Sequence, residues 1–179
     1  MSDGRNIILI GPMGSGKSAV GKQLAKELKL AFVDSDAEIE QRTGVDISFI
    51  FEREGEAGFR QREREVLAEL TEQRDMVLST GGGAVLDPDN RRRLAASGTV
   101  VYLHTSIAEQ LTRTRNTRHR PLLADRDPET VLAELMAIRA PLYEEIAALT
   151  VETGGRRIKA VVAEIRRRLK EAQPSPLKN

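Results

Sequence analysis

The chain has no cysteine and no tryptophan, and aromatic residues make up only 3% of it. The missing thiols exclude disulfides, thiolate catalysis and zinc–thiolate sites. Few aromatics leave little to stack on bases, which argues against single-stranded nucleic acid as a partner. Only two histidines occur, and their spacing suits no protein-built transition-metal site. No charge of one sign dominates: 28 basic residues stand against 27 acidic ones, for a net charge of +1. That balance argues against nucleic acid or an anionic membrane as the main partner. Long hydrophobic runs are absent too. The run Ile7 to Ile10 has only the length of a strand, and neither a secretory signal nor a membrane span is visible, so the cytosol is the expected location. What remains is a soluble chain of 179 residues, 40% apolar and 31% charged. It suits one domain over 1–172 with a disordered tail at 173–179, a monomer by default given its well-charged surface.

Against that background one segment stands out. Gly11-Pro-Met-Gly-Ser-Gly-Lys17-Ser18 satisfies the phosphate-loop pattern G-x-x-x-x-G-K-[ST] at every required position. Ile7 to Ile10 before it reads as a buried parallel strand, and Val20, Leu24 and Leu28 after it recur at helical spacing. The glycines let successive N–H groups turn toward a phosphate, and the helix start adds its positive dipole end. Lys17 supplies a formal charge for the outer phosphates, and the Ser18 hydroxyl suits magnesium.

Elsewhere, short β-type runs alternate with amphipathic helical stretches. Ala31 to Val33, Met76 to Leu78, Val100 to Leu103 and Leu149 to Val151 are strand candidates. A helix from about Gln61 to Gln73 places Val66, Leu67 and Leu70 on one face. The last helix does the same with Ile158, Val161, Val162, Ile165 and Leu169. Asp87-Pro88 and Asp127-Pro128 read as helix starts. This alternation predicts an α/β fold with a parallel sheet between helix layers, its ligands at the carboxyl ends of the strands. Two stretches break the alternation. The charged segment of about 36–60 reads as a substrate-binding module. The arginine-rich segment of about 112–126 reads as a mobile lid that excludes water during phosphate transfer.

Several residues are candidates for chemistry. If the backbone stays extended, Asp34 and Asp36 share a face about 6.5 Å apart, one near a metal shell and one near a substrate hydroxyl. The competing reading is local: Ser35-Asp36-Ala37-Glu38 is also a capping box. The run Gly81-Gly82-Gly83 allows close approach of a ligand, or is simply a flexible turn. No acidic residue closes the third strand, which leaves Asp34 as the substitute metal carboxylate. Arg60, expected just before a helix, and Arg139, where a helical pattern meets Pro141, are either surface arginines or a fork for an anionic substrate. Arg113, Arg115, Arg118, Arg120 and Arg126 crowd the lid candidate as a solvated basic loop or as charge-neutralising groups. His119 reads as exposed and His104 as a satisfied polar residue. The N-K-x-D motif of guanine-reading switches does not occur.

Taken in order, GPMGSGKS, DSDAEIEQRTG, EGEAGFRQRE, STGGGAVL, RPLL and RAPLYEEIA resemble the shikimate kinase family from Ile8 to about Leu169. The resemblance implies a three-layer, nucleoside-monophosphate-kinase-like phosphate-loop fold with a five-stranded parallel sheet ordered 2-3-1-4-5. It implies an ATP-dependent phosphotransferase with an alcohol acceptor, moving the γ-phosphate to the 3-hydroxyl of shikimate and giving shikimate 3-phosphate for aromatic amino-acid (chorismate) biosynthesis, with Mg²⁺. Gly14, Ser15, Gly16, Lys17, Ser18 and Ala19 would hold the ATP phosphates, with Ser18 and Asp34 at the metal. Asp36 would bind the acceptor hydroxyls and is the candidate base. Arg60 and Arg139 would clamp its carboxylate, and Gly82 would meet a hydroxyl through its backbone. Arg120 would reach the phosphates from the closed lid, and Arg113 and Arg156 would lie near adenine. The residues alone reach only ATP-dependent phosphorylation of a small anionic polyol; gluconate is the alternative acceptor.

Overall fold

The computed structural model describes residues 5–115 and 126–172. Five parallel strands form one sheet in the order β2-β3-β1-β4-β5. They are β1 (Asn6–Ile10), β2 (Ala31–Asp34), β3 (Met76–Ser79), β4 (Gly98–His104) and β5 (Leu149–Glu152). The expected order is thus observed, and each strand extends its expected apolar core by one to three residues.

β1 lies between β3 and β4, and it is apolar on both faces because helices cover both. Its side chains alternate between two cores, as the period of two requires. Ile8 and Ile10 join Leu78, Tyr102, Leu67 and Tyr143 on one side. Ile7 and Leu9 join Val77, Val101, Leu24 and Val162 on the other. Ile8, Leu9 and Ile10 are 0% exposed, and each buried aliphatic chain contributes about 1.5–3 kcal/mol. The second core is closed by α1 (Lys17–Leu28) and α7 (Ile158–Glu171). The first is closed by α2 (Ser35–Thr43), α3 (Ile47–Leu70), α4 (Pro88–Ser97) and α6 (Pro128–Ile146).

The two Asp-Pro starts are as expected. Asp87 accepts from the backbone N–H of Asp89 and Asn90 at the head of α4, and Asp127 from that of Thr130 at the head of α6. Each such cap is worth about 1 kcal/mol.

Other expectations need correction. Arg60 does not precede a helix; it lies well inside α3. That helix runs through the whole stretch from Ile47, broken only at Gly55, whose φ of 70° and ψ of −177° are non-helical. Only glycine adopts such a pair of angles without strain. Residues 112–114, where the expected lid begins, are the end of a helix, α5 (Ile107–Thr114). Pro141 does not end a helix but sits within α6. Ile158 is 44% exposed, so the buried face of α7 begins at Val161. Of the expected lid, residues 116–125 lie outside the described residues, and with them Arg118, His119 and Arg120; so does the expected tail at 173–179. No helix among the described residues is long and apolar enough to cross a membrane.

Candidate active site

The phosphate loop joins β1 to α1, at the sheet position where strand order reverses, with β3 on one side and β4 on the other. Gly14 and Gly16 hold φ of 76° and 89°, a left-handed region that favours glycine. Lys17, Ser18 and Ala19 are the first residues of α1, so their N–H groups have no carbonyl within the helix. The Lys17 ammonium donates to the carbonyls of Gly11 (2.7 Å) and Pro12 (2.8 Å), which folds it over the loop.

Beside the loop, Ser18 Oγ donates to Asp34 Oδ2 at 2.7 Å. Asp34 Oδ1 accepts from the N–H groups of Asp36 (3.0 Å) and Ala37 (3.2 Å). Asp34 is therefore the cap of α2, and the capping box built on Ser35 does not form. Ser35 is buried instead, its hydroxyl accepting from Gly81 N–H at 3.2 Å. The extended pairing of Asp34 with Asp36 fails for the same reason, because the helix starts between them. The two carboxylates still reach different places: Asp34 turns to Ser18, while Asp36 turns to the glycine run.

That run is walled by charge. A Cβ on Gly81 would lie 2.7 Å from Asp36 Oδ1 and 2.9 Å from Glu63 Oε2. One on Gly82 would lie 3.4 Å from an Arg139 nitrogen, and one on Gly83 2.7 Å from Arg60 Cζ. The bare backbone thus makes room for four ionisable side chains drawn from α2, α3 and α6. Asp36 Oδ1, Glu63 Oε2 and Arg139 Nε are sealed from solvent, with no hydrogen-bond partner among the described residues. Burial, then the charges of Glu63 and Asp34, raise the Asp36 pKa to about 7, against the pull of Lys17 and Arg60. Glu63 is likewise raised by burial, opposed by Arg60 and Arg139. Arg139 is lowered by burial, yet a guanidinium stays charged in proteins. One turn after Arg139, the buried Tyr143 donates its hydroxyl to Gly82 O at 2.6 Å and fixes that carbonyl.

On the opposite side, Arg113 of α5 donates to Gly14 O (2.9 Å) and to Thr153 O (3.0 Å). It braces the phosphate loop. Arg156 is engaged elsewhere, with Glu152 O (2.9 Å) and Glu164 (2.7 Å). His104 pairs with Glu152 at 2.5 Å, in line with its reading as a satisfied polar residue.

A family model described as shikimate kinase matches residues 13–170. A shikimate kinase of Pseudomonas savastanoi pv. phaseolicola is 57% identical over 170 residues, 95% of this chain and 99% of its own. The chain belongs to the shikimate kinase family. The solved structure of a shikimate kinase from Acinetobacter baumannii, in complex with shikimate, superposes with a TM-score of 0.94 at 46% identity, covering 98% of this chain and 97% of that one. A gluconokinase from Sinorhizobium meliloti 1021 superposes with a TM-score of 0.57 at 18% identity, a likeness of fold alone.

The family resemblance assigns no role to Glu63 or Tyr143, although both lie within its motifs, nor to Thr153. Glu63 carries a readable signal: it falls on the same helical stripe as Phe59, Val66, Leu67 and Leu70, all buried. A carboxylate on an apolar stripe is costly unless it serves a partner. Tyr143 and Thr153 carry no such mark, since their roles depend on what other elements bring to them.

Proposed function

We propose that this chain transfers the γ-phosphate of ATP to the 3-hydroxyl of shikimate. The observation that carries the reading is the cluster against Gly81 to Gly83: an unpartnered carboxylate oxygen on Asp36, two arginines, and Lys17 close enough to pull on the Asp36 titration. Arg60 and Arg139 supply the planar fork that a carboxylate takes. Asp36 supplies an acceptor for the hydroxyl, and Gly82 a backbone edge for another. The reading also draws on the similar Acinetobacter structure, whose bound molecule is shikimate.

On the nucleotide side, Gly14 to Ala19 cradle the phosphates through their N–H groups, and Arg113 steadies the loop. Lys17 exchanges the Gly11 and Pro12 carbonyls for phosphate oxygens. Arg120, outside the described residues, is proposed to add charge from the lid, and Arg156 to border the base. Ser18 and Asp34 present a hydroxyl and a carboxylate oxygen 2.7 Å apart, a donor pair suited to a hard cation that keeps most of its waters. Among the described residues no group of three or more His, Asp or Glu could hold a metal by itself. Magnesium bound there would neutralise phosphate charge.

In the transfer, the acceptor oxygen bonds to the γ-phosphorus, the bond to the bridging oxygen breaks, and ADP leaves. The hydroxyl proton passes to Asp36, whose pKa of about 7 suits it to accept near neutrality. Positioning and charge neutralisation carry most of this chemistry, so Asp36 matters first as the group that aims the hydroxyl. All the groups named come from one polypeptide, and the proposed working unit is a monomer. The test is ADP release from ATP and magnesium with shikimate, with gluconate and with no acceptor. Shikimate-dependent release is expected; release with gluconate alone would overturn the acceptor.

A further inference from the structure

We propose that Thr153 is a positioning residue for the nucleotide: from the end of β5, its hydroxyl sets the Ser15–Gly16 peptide of the phosphate loop. The inference rests on reading Gly11 to Ser18 as the phosphate site.

Thr153 follows β5 directly and is 3% exposed. Its Oγ1 donates to Ser15 O at 2.9 Å, a contact spanning 138 residues of sequence. The same hydroxyl lies 3.2 Å from His104 O, and Thr153 N–H donates to that carbonyl at 2.9 Å. Thr153 O accepts from Arg113 Nη2, while Arg113 Nη1 donates to Gly14 O. Two successive carbonyls of the phosphate loop, those of Gly14 and Ser15, are thus held by side chains outside it, and the two holders are bonded to each other.

The geometry of the peptide unit gives this bracing a direction. In a trans peptide the C=O and the N–H point to opposite sides. Drawing Ser15 O toward Thr153 therefore turns Gly16 N–H away from Thr153. Among the described residues no backbone carbonyl accepts from Gly16 N–H, whereas Ser15 N–H closes the loop onto Pro12 O at 3.2 Å. Glycine at position 16 has φ of 89° and few steric restraints of its own. With nothing to hold Ser15 O, that peptide is free to rotate, and the donor is no longer set before the ligand arrives. Preorganised donors bind anions tightly because their orientation is fixed beforehand. Acceptor binding draws on α2, α3 and α6 and has no part in this bracing.

The experiment compares wild type, Thr153→Val, Thr153→Ser and Thr153→Ala by calorimetric titration with MgADP and, separately, with shikimate, alongside steady-state kinetics. Valine keeps the shape and removes the donor. The expected result for Thr153→Val is about tenfold weaker MgADP binding and a matching rise in KM for ATP, the scale of one lost hydrogen bond. Shikimate affinity and kcat at saturating ATP should stay within about twofold of wild type, a split that also certifies the fold. Serine should restore MgADP binding. Should valine fail to fold, alanine carries the same comparison. Unchanged MgADP binding in the valine or alanine variant overturns the proposal. So does equal loss of both ligands, or a serine variant as weak as valine. Failure of wild type to bind MgADP would instead overturn the phosphate-loop reading itself.

Discussion

Arg60 Nη1 lies 2.8 Å from Glu63 Oε1, one turn further along α3, and the Glu63 side chain is 1% exposed. The pair holds the guanidinium at the edge of the acceptor cluster, while the other Glu63 oxygen faces Gly81 beside Asp36. Glu63 therefore acts twice, once as an anchor for a cation and once as a negative charge on its neighbour.

Replacing it separates the two effects. Glu63→Gln is expected to raise KM for shikimate about tenfold with a smaller change in kcat, because Arg60 loses its fixed direction. It also removes the second largest cause of the raised Asp36 pKa. The acid limb of kcat/KM against pH should then move to lower pH. Steady-state profiles between pH 5 and 9 check this, and an unmoved limb would count against the coupling.

Asp36 should cost the fold stability. Its pKa is raised from 3.8 to about 7, so the folded state binds the proton more tightly than the unfolded chain. Stability then falls as pH rises from about 4 to about 7, and the cost persists above that. Asp36→Asn removes the cost, which is on the order of a few kcal/mol at full ionisation. The variant is expected to melt at a higher temperature than wild type at pH 8, with a much smaller difference at pH 5. Its turnover should drop by about 10²–10⁴. Thermal melts across pH, with the coupled assay, check both.

Arg139 is 4% exposed, and its fork cannot be copied by an ammonium. Arg139→Lys is expected to weaken shikimate binding by about 10- to 100-fold, the loss of one charge-assisted bond, and to leave MgADP binding unchanged. Calorimetry with each ligand distinguishes this from general damage. Unaltered shikimate affinity would remove Arg139 from the carboxylate clamp.

Gly81→Ala should be more harmful than its size suggests. Its Cβ would push against both Asp36 Oδ1 and Glu63 Oε2 at under 3 Å. The expected result is more than tenfold loss of kcat/KM for shikimate, MgADP binding being retained. Full activity would mean that the two carboxylates move aside freely.

The parts of the molecule set by local sequence were the legible ones. β1 is apolar from Ile7 to Ile10 and flows into a loop whose spacing admits one geometry, so strand, loop and α1 are readable together. Asp87-Pro88 and Asp127-Pro128 announce their helices. The errors fall where two local signals compete. Asp34 and Ser35 both make good caps; Asp34 takes the role, while the Ser35 hydroxyl is engaged by Gly81 N–H, far away in sequence. Arg60 reads as pre-helical, yet α3 runs through Gly58 and is broken only at Gly55. Arg113 has a partner 99 residues away in Gly14, and no sequence pattern carries that distance. The triple glycine allows a ligand's approach or a flexible turn; in the structure the same space first admits Asp36, Glu63, Arg60 and Arg139.

The break at Gly55 is a torsional restriction with no steric component. Nothing lies within 4 Å of where its Cβ would stand, so bulk is no obstacle there, yet every side chain is penalised by the backbone alone. In a saturation library this position should accept glycine and little else, while exposed neighbours such as Glu52 and Ala57 tolerate most replacements. Anyone recutting the front half of α3 for a different acceptor inherits a fixed bend and can redraw the rods on either side of it.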